Sequence, residues 1–153
     1  MKKIITVLLL IFGVVSLFAQ SPNDFKIDLD KGFTAIIITG YTGSETKVVI
    51  PAEMEGLPVR AIRGAFRDCT GLTSITIPNG VTAIGDGAFY GCTGLTSITI
   101  PNSVTAIGHG AFQGCTGLTS VTIPNSVKSI GSGAFADCSN ITTVLLKEDP
   151  KIT

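Results

Sequence analysis

The 153-residue sequence has few charged residues and few aromatic rings other than phenylalanine. Charged residues make up 14% of the chain, and residues 87–127 contain none. There is no tryptophan, and there are only two tyrosines and one histidine. Nucleic-acid binding needs basic residues that neutralise phosphates and rings that stack on bases. With a formal net charge of zero, the composition argues against a nucleic-acid partner.

Residues that carry out catalysis or bind metals are also scarce. His109 stands at a turn position that holds Asp86 one repeat earlier and Ser132 one repeat later. No serine lies in a nucleophile elbow, and no C-x-x-C motif indicates zinc. Gly85-x-Gly87 and Gly108-x-Gly110 lack the third glycine and the acidic residue of a dinucleotide-binding loop. We therefore expect a protein that is not an enzyme and that holds no metal or cofactor.

The dominant feature of the sequence is a repeat of 23 residues. Residues 95–117 read LTSITIPNSVTAIGHGAFQGCTG, and residues 72–94 and 118–140 are close copies. Self-similarity at such a period is the signature of a solenoid. Two residue types recur at this step and should form interior ladders: Phe66, Phe89, Phe112 and Phe135, and Cys69, Cys92, Cys115 and Cys138.

The first half of each repeat predicts extended backbone. Leu72, Ile75 and Ile77 have the L-x-x-L-x-L spacing of a leucine-rich-repeat strand, and Pro78 ends that strand because it cannot donate to the ladder. Val81 and Ile84 are predicted to point inward on the next extended piece.

The second half of each repeat predicts a compact turn. After Gly85-Asp86-Gly87, the spacing of Ala88, Phe89 and Cys92 places them on one side of a single helical turn. The inward apolar side chains of one rung cannot be buried by that rung alone. They are buried only when neighbouring rungs stack on both sides. The predicted fold is a β-rich leucine-rich-repeat solenoid of about four 23-residue rungs.

The two ends of the solenoid should be covered. Residues 20–46 are predicted to form an N-terminal β-hairpin cap, with strands at 23–29 and 33–38, a turn at Asp30-Lys31-Gly32 and a loop at 40–44. Residues 47–146 are assigned to the solenoid, with 52–58 as a loop in a divergent first rung. Residues 147–153 form a charged tail that blunts the last strand, and a homodimer through this C-terminal edge is the alternative.

Residues 1–19 have the pattern of a secretory signal peptide. Lys2 and Lys3 precede an apolar run from 4 to 18, and Ala19 precedes a polar break. The run is shorter than the roughly 20 residues of a membrane-spanning helix. A buried N-terminal helix or an uncleaved anchor is the alternative. We expect an exported protein that is secreted or held at the cell surface, with the periplasm as another destination.

Four cysteines in an exported chain raise the question of disulfides. Because each recurs with the rung, their side chains should be parallel in one column, which does not favour the S–S torsion. We expect buried free thiols, which pack as small apolar groups. The alternative is a pair of bridges, Cys69–Cys92 and Cys115–Cys138.

Small hydroxyl residues flank the inward residue of each strand and should face solvent. They form two columns on the strand-lined surface: Ser74, Ser97 and Ser120, and Thr76, Thr99 and Thr122. Threonine is a good strand former, so these columns could be a solvated surface only. The functional interpretation is an uncharged binding strip. A third interpretation is a hydroxyl lattice that orders water, as in ice-binding solenoids.

The repeat sequence IPNSVTAIGHGAFQGCTGLTSVTIP and its two further copies resemble the BspA-type leucine-rich-repeat family of bacterial surface proteins. The resemblance covers residues 47–146 and implies a single-stack solenoid with a strand-lined surface. It also implies a non-catalytic module that binds host proteins, matrix proteins or other cells. A structural or assembly protein that acts through the ends of its solenoid is the alternative.

Overall fold

The computed structural model describes residues 21–146, so the predicted signal peptide and the charged tail lie outside the described residues. The described chain winds into a β-solenoid of about five turns. We call residues 47–71, 72–94, 95–117 and 118–140 rungs 1 to 4, and residues 141–146 begin the next turn. The strands are β1 (Phe25–Leu29), β2 (Ile36–Tyr41), β3 (Lys47–Val49), β4 (Glu53–Met54), β5 (Leu57–Ile62), β6 (Ser74–Thr76), β7 (Ala83–Ile84), β8 (Ser97–Thr99), β9 (Ala106–Ile107), β10 (Ser120–Ile123), β11 (Ser129–Ile130) and β12 (Thr143–Leu146).

Two sets of parallel strands form two sides of the solenoid. On one side β3 pairs with β6, and β8, β10 and β12 form a three-stranded sheet. On the other side β5, β7, β9 and β11 pair in succession. The register between neighbouring strands in the repeats is 23 residues, as in Ser97 opposite Ser120. The predicted leucine-rich-repeat solenoid is confirmed.

The core is a continuous column of apolar side chains that includes stacked phenylalanine rings. Phe66, Phe89 and Phe112 are fully buried. Their ring centroids lie 5.3 Å apart, and Phe135 follows at 5.1 Å, with neighbouring planes within 10° of parallel. Burying one such ring contributes roughly 1.5–3 kcal/mol. Phe89 and Phe112 are buried because a rung lies on both faces of each ring, whereas Phe66 has rung 2 on one face and the cap on the other.

The predicted helical turn in each rung is wrong, because the structure has a series of tight turns there. The N–H of Tyr90 donates to the Gly87 carbonyl at 3.1 Å, as in a turn. The N–H of the intervening Phe89 instead donates to the Ala111 carbonyl of the next rung, at 2.7 Å. In a helix, each N–H after the first turn donates to the carbonyl four residues earlier in the same segment. Here alternate N–H groups cross between rungs, so this segment bonds the stack together as a strand does.

The N-terminal cap is the predicted antiparallel hairpin, but the bounds of both strands differ from the prediction. Pro22–Asp24 form a short 3-10 helix, so β1 begins at Phe25 rather than at residue 23. Strand β2 pairs antiparallel with β1 and parallel with β5, so the hairpin extends the second sheet. Strand β2 begins at Ile36 rather than at residue 33, because the Asp30 carboxylate accepts the N–H groups of Thr34 and Ala35 and holds these residues in the turn.

The strand β2 continues through Tyr41, where the sequence predicted a loop at 40–44. The Tyr41 ring lies 5.3 Å from Phe66, and Phe25 lies 5.5 Å beyond Tyr41. These contacts extend the aromatic column into the cap. These contacts stabilise the extended backbone at Tyr41, and because Tyr41 is not part of the repeat, the repeat pattern did not predict them.

The predicted loop at 52–58 is also wrong, since it forms a second small hairpin. Strand β4 pairs antiparallel with the start of β5, with Met54 opposite Leu57. The two connecting residues, Glu55 and Gly56, have positive φ angles of 52° and 75°. Two such residues make the tight turn whose twist matches a hairpin. The residues that lengthen rung 1 are therefore ordered by strand pairing, and Met54 is buried.

Candidate functional site: the strand face

The six predicted site residues lie on the outer surface of the first strand of rungs 2 to 4. We call this set the strand face: Ser74, Thr76, Ser97, Thr99, Ser120 and Thr122. All six are exposed or half-exposed, while the residue between each pair is buried. The alternation follows from the strand geometry, which sends successive side chains to opposite sides.

The structure brings the members of rungs 3 and 4 directly opposite each other. Ser97 pairs with Ser120 and Thr99 pairs with Thr122, on strands that lie about 4.8 Å apart. The rung 2 members belong to the other ladder, in which β6 pairs with β3. Between β6 and β8 the link comes from Thr96, whose N–H and hydroxyl both donate to the Thr73 carbonyl at 3.4 Å. The strand face is thus one surface made of two ladders.

Other threonines repeat with the same period but have their hydroxyls occupied. In the column Thr73, Thr96, Thr119 and Thr142, each hydroxyl donates to a carbonyl of the preceding rung, at 2.9–3.4 Å. On the second sheet Thr82 and Thr105 do the same at 3.2 Å. The six strand-face hydroxyls make no hydrogen bond within residues 21–146. The sequence could not separate these two classes of threonine, because both recur every 23 residues.

The strand face is uncharged in rungs 3 and 4 and has different borders at its two ends. At the N-terminal border, Lys47 and the 45%-exposed Val49 lie beside Ser74 and Thr76. At the C-terminal border, Leu145 follows Thr122 in the same column and is 55% exposed. The free hydroxyls are therefore framed by one cation and by aliphatic groups.

The four cysteines are free thiols in the interior column. The thiols of Cys92, Cys115 and Cys138 each donate to a phenylalanine carbonyl of the preceding rung, at 3.0–3.1 Å. Burial raises the pKa of the Cys69 and Cys138 thiols. For Cys92, a hydrogen bond to Cys115 and then burial raise the pKa. The raised pKa keeps the thiols of Cys69, Cys92 and Cys138 protonated. The alternative disulfides, Cys69–Cys92 and Cys115–Cys138, are not formed in the structure.

His109 is exposed on its turn, yet it has specific partners there. Its N–H donates to the Asp86 carboxylate at 2.7 Å, and its Nδ1 accepts the N–H of Ser132 at 3.1 Å. The His109 side chain therefore caps a turn of the next rung. Across residues 21–146, no group of three His, Cys, Asp or Glu side chains could hold a metal ion.

A small cleft lies between the cap and the first rung. Its volume is about 120 Å³, and its lining includes Tyr41, Glu45 and Cys69. Ligand pockets usually measure several hundred Å³. The cleft is a packing gap at the junction of the cap with the solenoid. In the described part of the chain, no helix is long and apolar enough to cross a membrane.

Comparisons with known proteins agree with this architecture. A family model described as the BspA type leucine rich repeat region matches residues 60–152 in six copies. Among curated proteins no relative matches the chain.

Solved structures of bacterial leucine-rich-repeat proteins are also similar to the chain. The protein TpLRR from T. pallidum is 34% identical over 83% of this chain and 71% of its own, with a TM-score of 0.68. A leucine-rich cell surface protein from Faecalibacterium prausnitzii is 31% identical with a TM-score of 0.62, and this chain spans 43% of it. A protein from Bacteroides capillosus is 25% identical over 82% of this chain and 95% of its own, with a TM-score of 0.71. The chain belongs to the BspA-type leucine-rich-repeat family.

Proposed function

We propose that this protein is an exported, non-catalytic binding module that captures a protein, or a cell-surface or matrix ligand, on its strand face. The observation that supports this most directly is the contrast between the two classes of threonine. The hydroxyls of the strand face have no partner within the described residues, whereas those of neighbouring columns are bonded to the backbone. Free donors and acceptors at a regular spacing offer a ligand hydrogen bonds without the cost of breaking internal ones.

The absence of charge on rung 3 and on the adjoining parts of rungs 2 and 4 favours a ligand that is bound by shape and neutral polar groups. Residues 87–127 contain no charged side chain. Steering by long-range charge is therefore weak, and specificity depends on the hydroxyl columns and on their aliphatic borders, Val49 and Leu145. A folded protein surface or an extended polypeptide fits these properties better than a phosphate-bearing polymer.

A charge placed on the strand face tests the proposal. The double variant Thr99→Lys with Thr122→Lys should lower capture of ligands from serum or matrix extract by about tenfold or more, since buried unpaired charge is costly at an interface. The matched control is Thr82→Lys with Thr105→Lys, which adds equal charge to the opposite sheet. That column already contains Lys128 in rung 4.

If the strand-face variant captures ligand as well as the wild-type protein does, the binding site lies outside the strand face. Loss of capture by both variants would point to net charge rather than to position. If no ligand is captured, a thermal-hysteresis measurement separates the two remaining interpretations. Growth inhibition of ice would support the water-ordering lattice, and its absence would leave the hydroxyl columns as a solvated strand surface.

Export is part of the proposal and has its own support. Lys2 and Lys3, the apolar run at 4–18 and the small residue Ala19 form a signal-peptide pattern. A similar protein from Faecalibacterium prausnitzii is described as a cell surface protein. Mass spectrometry of the protein from separated cell and medium fractions should find a chain that begins near Gln20. A cytoplasmic chain that retains residues 1–19 would contradict this.

A second function, assembly through the end of the solenoid, is favoured by one specific observation. The large apolar residues Ile130, Val144 and Leu146 are 49–70% exposed at the C-terminal end. Residues in the same slots of earlier rungs are buried. This function is separate from the strand face, and a chain could have both.

A further inference from the structure

The C-terminal end of the described solenoid presents an uncovered rung. Val144 and Leu146 lie in the slots of Val121 and Ile123, which are 2% and 7% exposed. In those slots at the end, the exposed fractions rise to 53% and 70%. The side chains are core residues by position. Within the described residues, no rung follows to bury them.

The backbone of this end has unpaired donors along one flank. In rung 3, alternate N–H groups donate to carbonyls of rung 4 at 2.8–3.1 Å: Gly110 to Ser132, Phe112 to Ala134 and Gly114 to Ala136. The equivalent groups of rung 4 belong to Gly133, Phe135 and Asp137. These three N–H groups have no partner within residues 21–146.

The adjoining flank has unpaired acceptors. In rung 3, the carbonyls of Thr105 and Ile107 accept N–H groups of rung 4 at 2.8 Å. The equivalent carbonyls of Lys128 and Ile130 accept no hydrogen bond in the described part of the chain. The end is therefore donor-rich on the turn flank and acceptor-rich on the β11 flank, with the open edge of β12 on the remaining side.

A second copy cannot cover this end with its own N-terminal end. That end is occupied by the hairpin of β1 and β2, whose Tyr41 ring lies over Phe66 and whose Phe25 ring lies over Tyr41. The open C-terminal end of another copy is the complementary surface. A two-fold axis in the plane of the end reverses the strand direction, so β12 meets β12 antiparallel. The same axis can place the donor flank of each copy opposite the acceptor flank of the other.

We propose that two copies of this protein associate through their C-terminal ends with two-fold symmetry. The two β12 strands pair antiparallel, and Val144, Leu146 and Ile130 form a shared apolar core. The N–H groups of Gly133, Phe135 and Asp137 face the Lys128 and Ile130 carbonyls of the second copy. This pairing extends the assembly function proposed above and is independent of binding at the strand face.

Charge complementarity supports the same arrangement. Lys128 lies on the acceptor flank, where its Nζ donates to the Asn125 carbonyl at 3.1 Å. Asp137 lies on the donor flank, where its carboxylate accepts from Gln113 at 3.1 Å, and both charged side chains are exposed. The two-fold axis therefore brings Lys128 of each copy toward Asp137 of the other.

Sedimentation velocity of the protein across a concentration series tests the pairing. We expect a monomer–dimer equilibrium that stops at two copies. Val144→Lys should abolish the dimer, because it places a charge in the shared core. Thr99→Lys, on the strand face of rung 3, is the matched control and should leave the dimer intact. A wild-type protein that stays monomeric, an open-ended series of oligomers, or a Val144→Lys dimer would each overturn the proposal.

A charge reversal tests the arrangement without touching the core. Lys128→Glu and Asp137→Lys should each raise the dimer dissociation constant by about fivefold, since each contact occurs twice in a symmetric pair. The two changes combined in one chain should restore dimerisation. No restoration would overturn the two-fold arrangement, even if Val144→Lys fails to fold. Ligand capture by these end variants should stay normal, so failure here is distinguishable from failure of the strand-face proposal.

Discussion

Gly108 shows how closely successive rungs approach each other. A Cβ atom at this position would lie 2.5 Å from the Asp86 backbone nitrogen. Backbone of the preceding rung cannot move aside as a flexible side chain can. We expect Gly108→Ala to lower the free energy of unfolding by about 1–3 kcal/mol, measured by urea denaturation.

The control for this prediction is Gly71→Ala. A Cβ at Gly71 would meet no atom within 4 Å, and its φ is not in the left-handed region. This change should be neutral or should stabilise the fold by up to about 1 kcal/mol, by restricting the unfolded chain. Equal destabilisation by both changes would contradict the close approach of the rungs.

The thiols give a second prediction at the residue scale. Cys92 and Cys115 are fully buried, whereas Cys69 and Cys138 are half-buried. Because burial raises the pKa of Cys69 and Cys138, even these two should react slowly with a thiol reagent at pH 8. In the folded protein Cys92 and Cys115 should not react, and all four should react in denaturant. Fewer than four reactive thiols after unfolding without reductant would reveal a disulfide.

At the scale of the elements, the cap hairpin depends on one half-exposed carboxylate, that of Asp30. The N–H of Thr34, with smaller contributions from the Ala35 N–H and the Thr34 hydroxyl, holds the pKa of Asp30 below its ordinary value of 3.8. A carboxyl group with a lowered pKa stabilises the folded state above its unfolded pKa. That contribution is lost as the pH falls through the folded pKa.

We therefore expect the cap to loosen below about pH 3.8 before the rungs do. An NMR titration should place the Asp30 carboxyl pKa below 3.8, and hydrogen exchange at Thr34 should accelerate at lower pH. Asp30→Asn should remove this pH dependence at Thr34. Faster exchange in rung 3 over the same pH range would mean that acid acts on the whole stack instead.

The repeated elements could be predicted from the sequence, and of the elements that occur once only the hairpin of β1 and β2 could be. Four copies of the Phe and Cys positions specify a rung, since only stacking can bury them. The strand at Tyr41 and the hairpin at Glu53–Met54 occur once, so no period announces them. Their conformation depends on contacts with rung 1. The alternating hydrogen bonds around Phe89 were also missed, because the spacing of apolar residues in a short turn resembles that of a helix.

At the scale of the whole molecule, the solenoid is a one-dimensional stack whose ends differ. The N-terminal end is closed by a hairpin that continues both a sheet and the aromatic column. The C-terminal end of the described chain has exposed core positions and unpaired backbone groups. The strand face runs along one side of the stack, and strand β3 of rung 1 lies between it and the cap. Side and end are thus separate surfaces, and the proposed ligand and the proposed second copy do not compete.

All of these proposals require that the rungs stack in register, and NMR scalar couplings across hydrogen bonds test this most directly. In the folded protein, the amide nitrogens of Gly87, Phe89 and Gly91 should couple to the carbonyl carbons of His109, Ala111 and Gln113, as the hydrogen bonds of 2.7–2.9 Å require. Couplings from these nitrogens to carbonyls three or four residues earlier in the chain would show local helical turns instead. That result would contradict the stacked rungs and the strand face built on them.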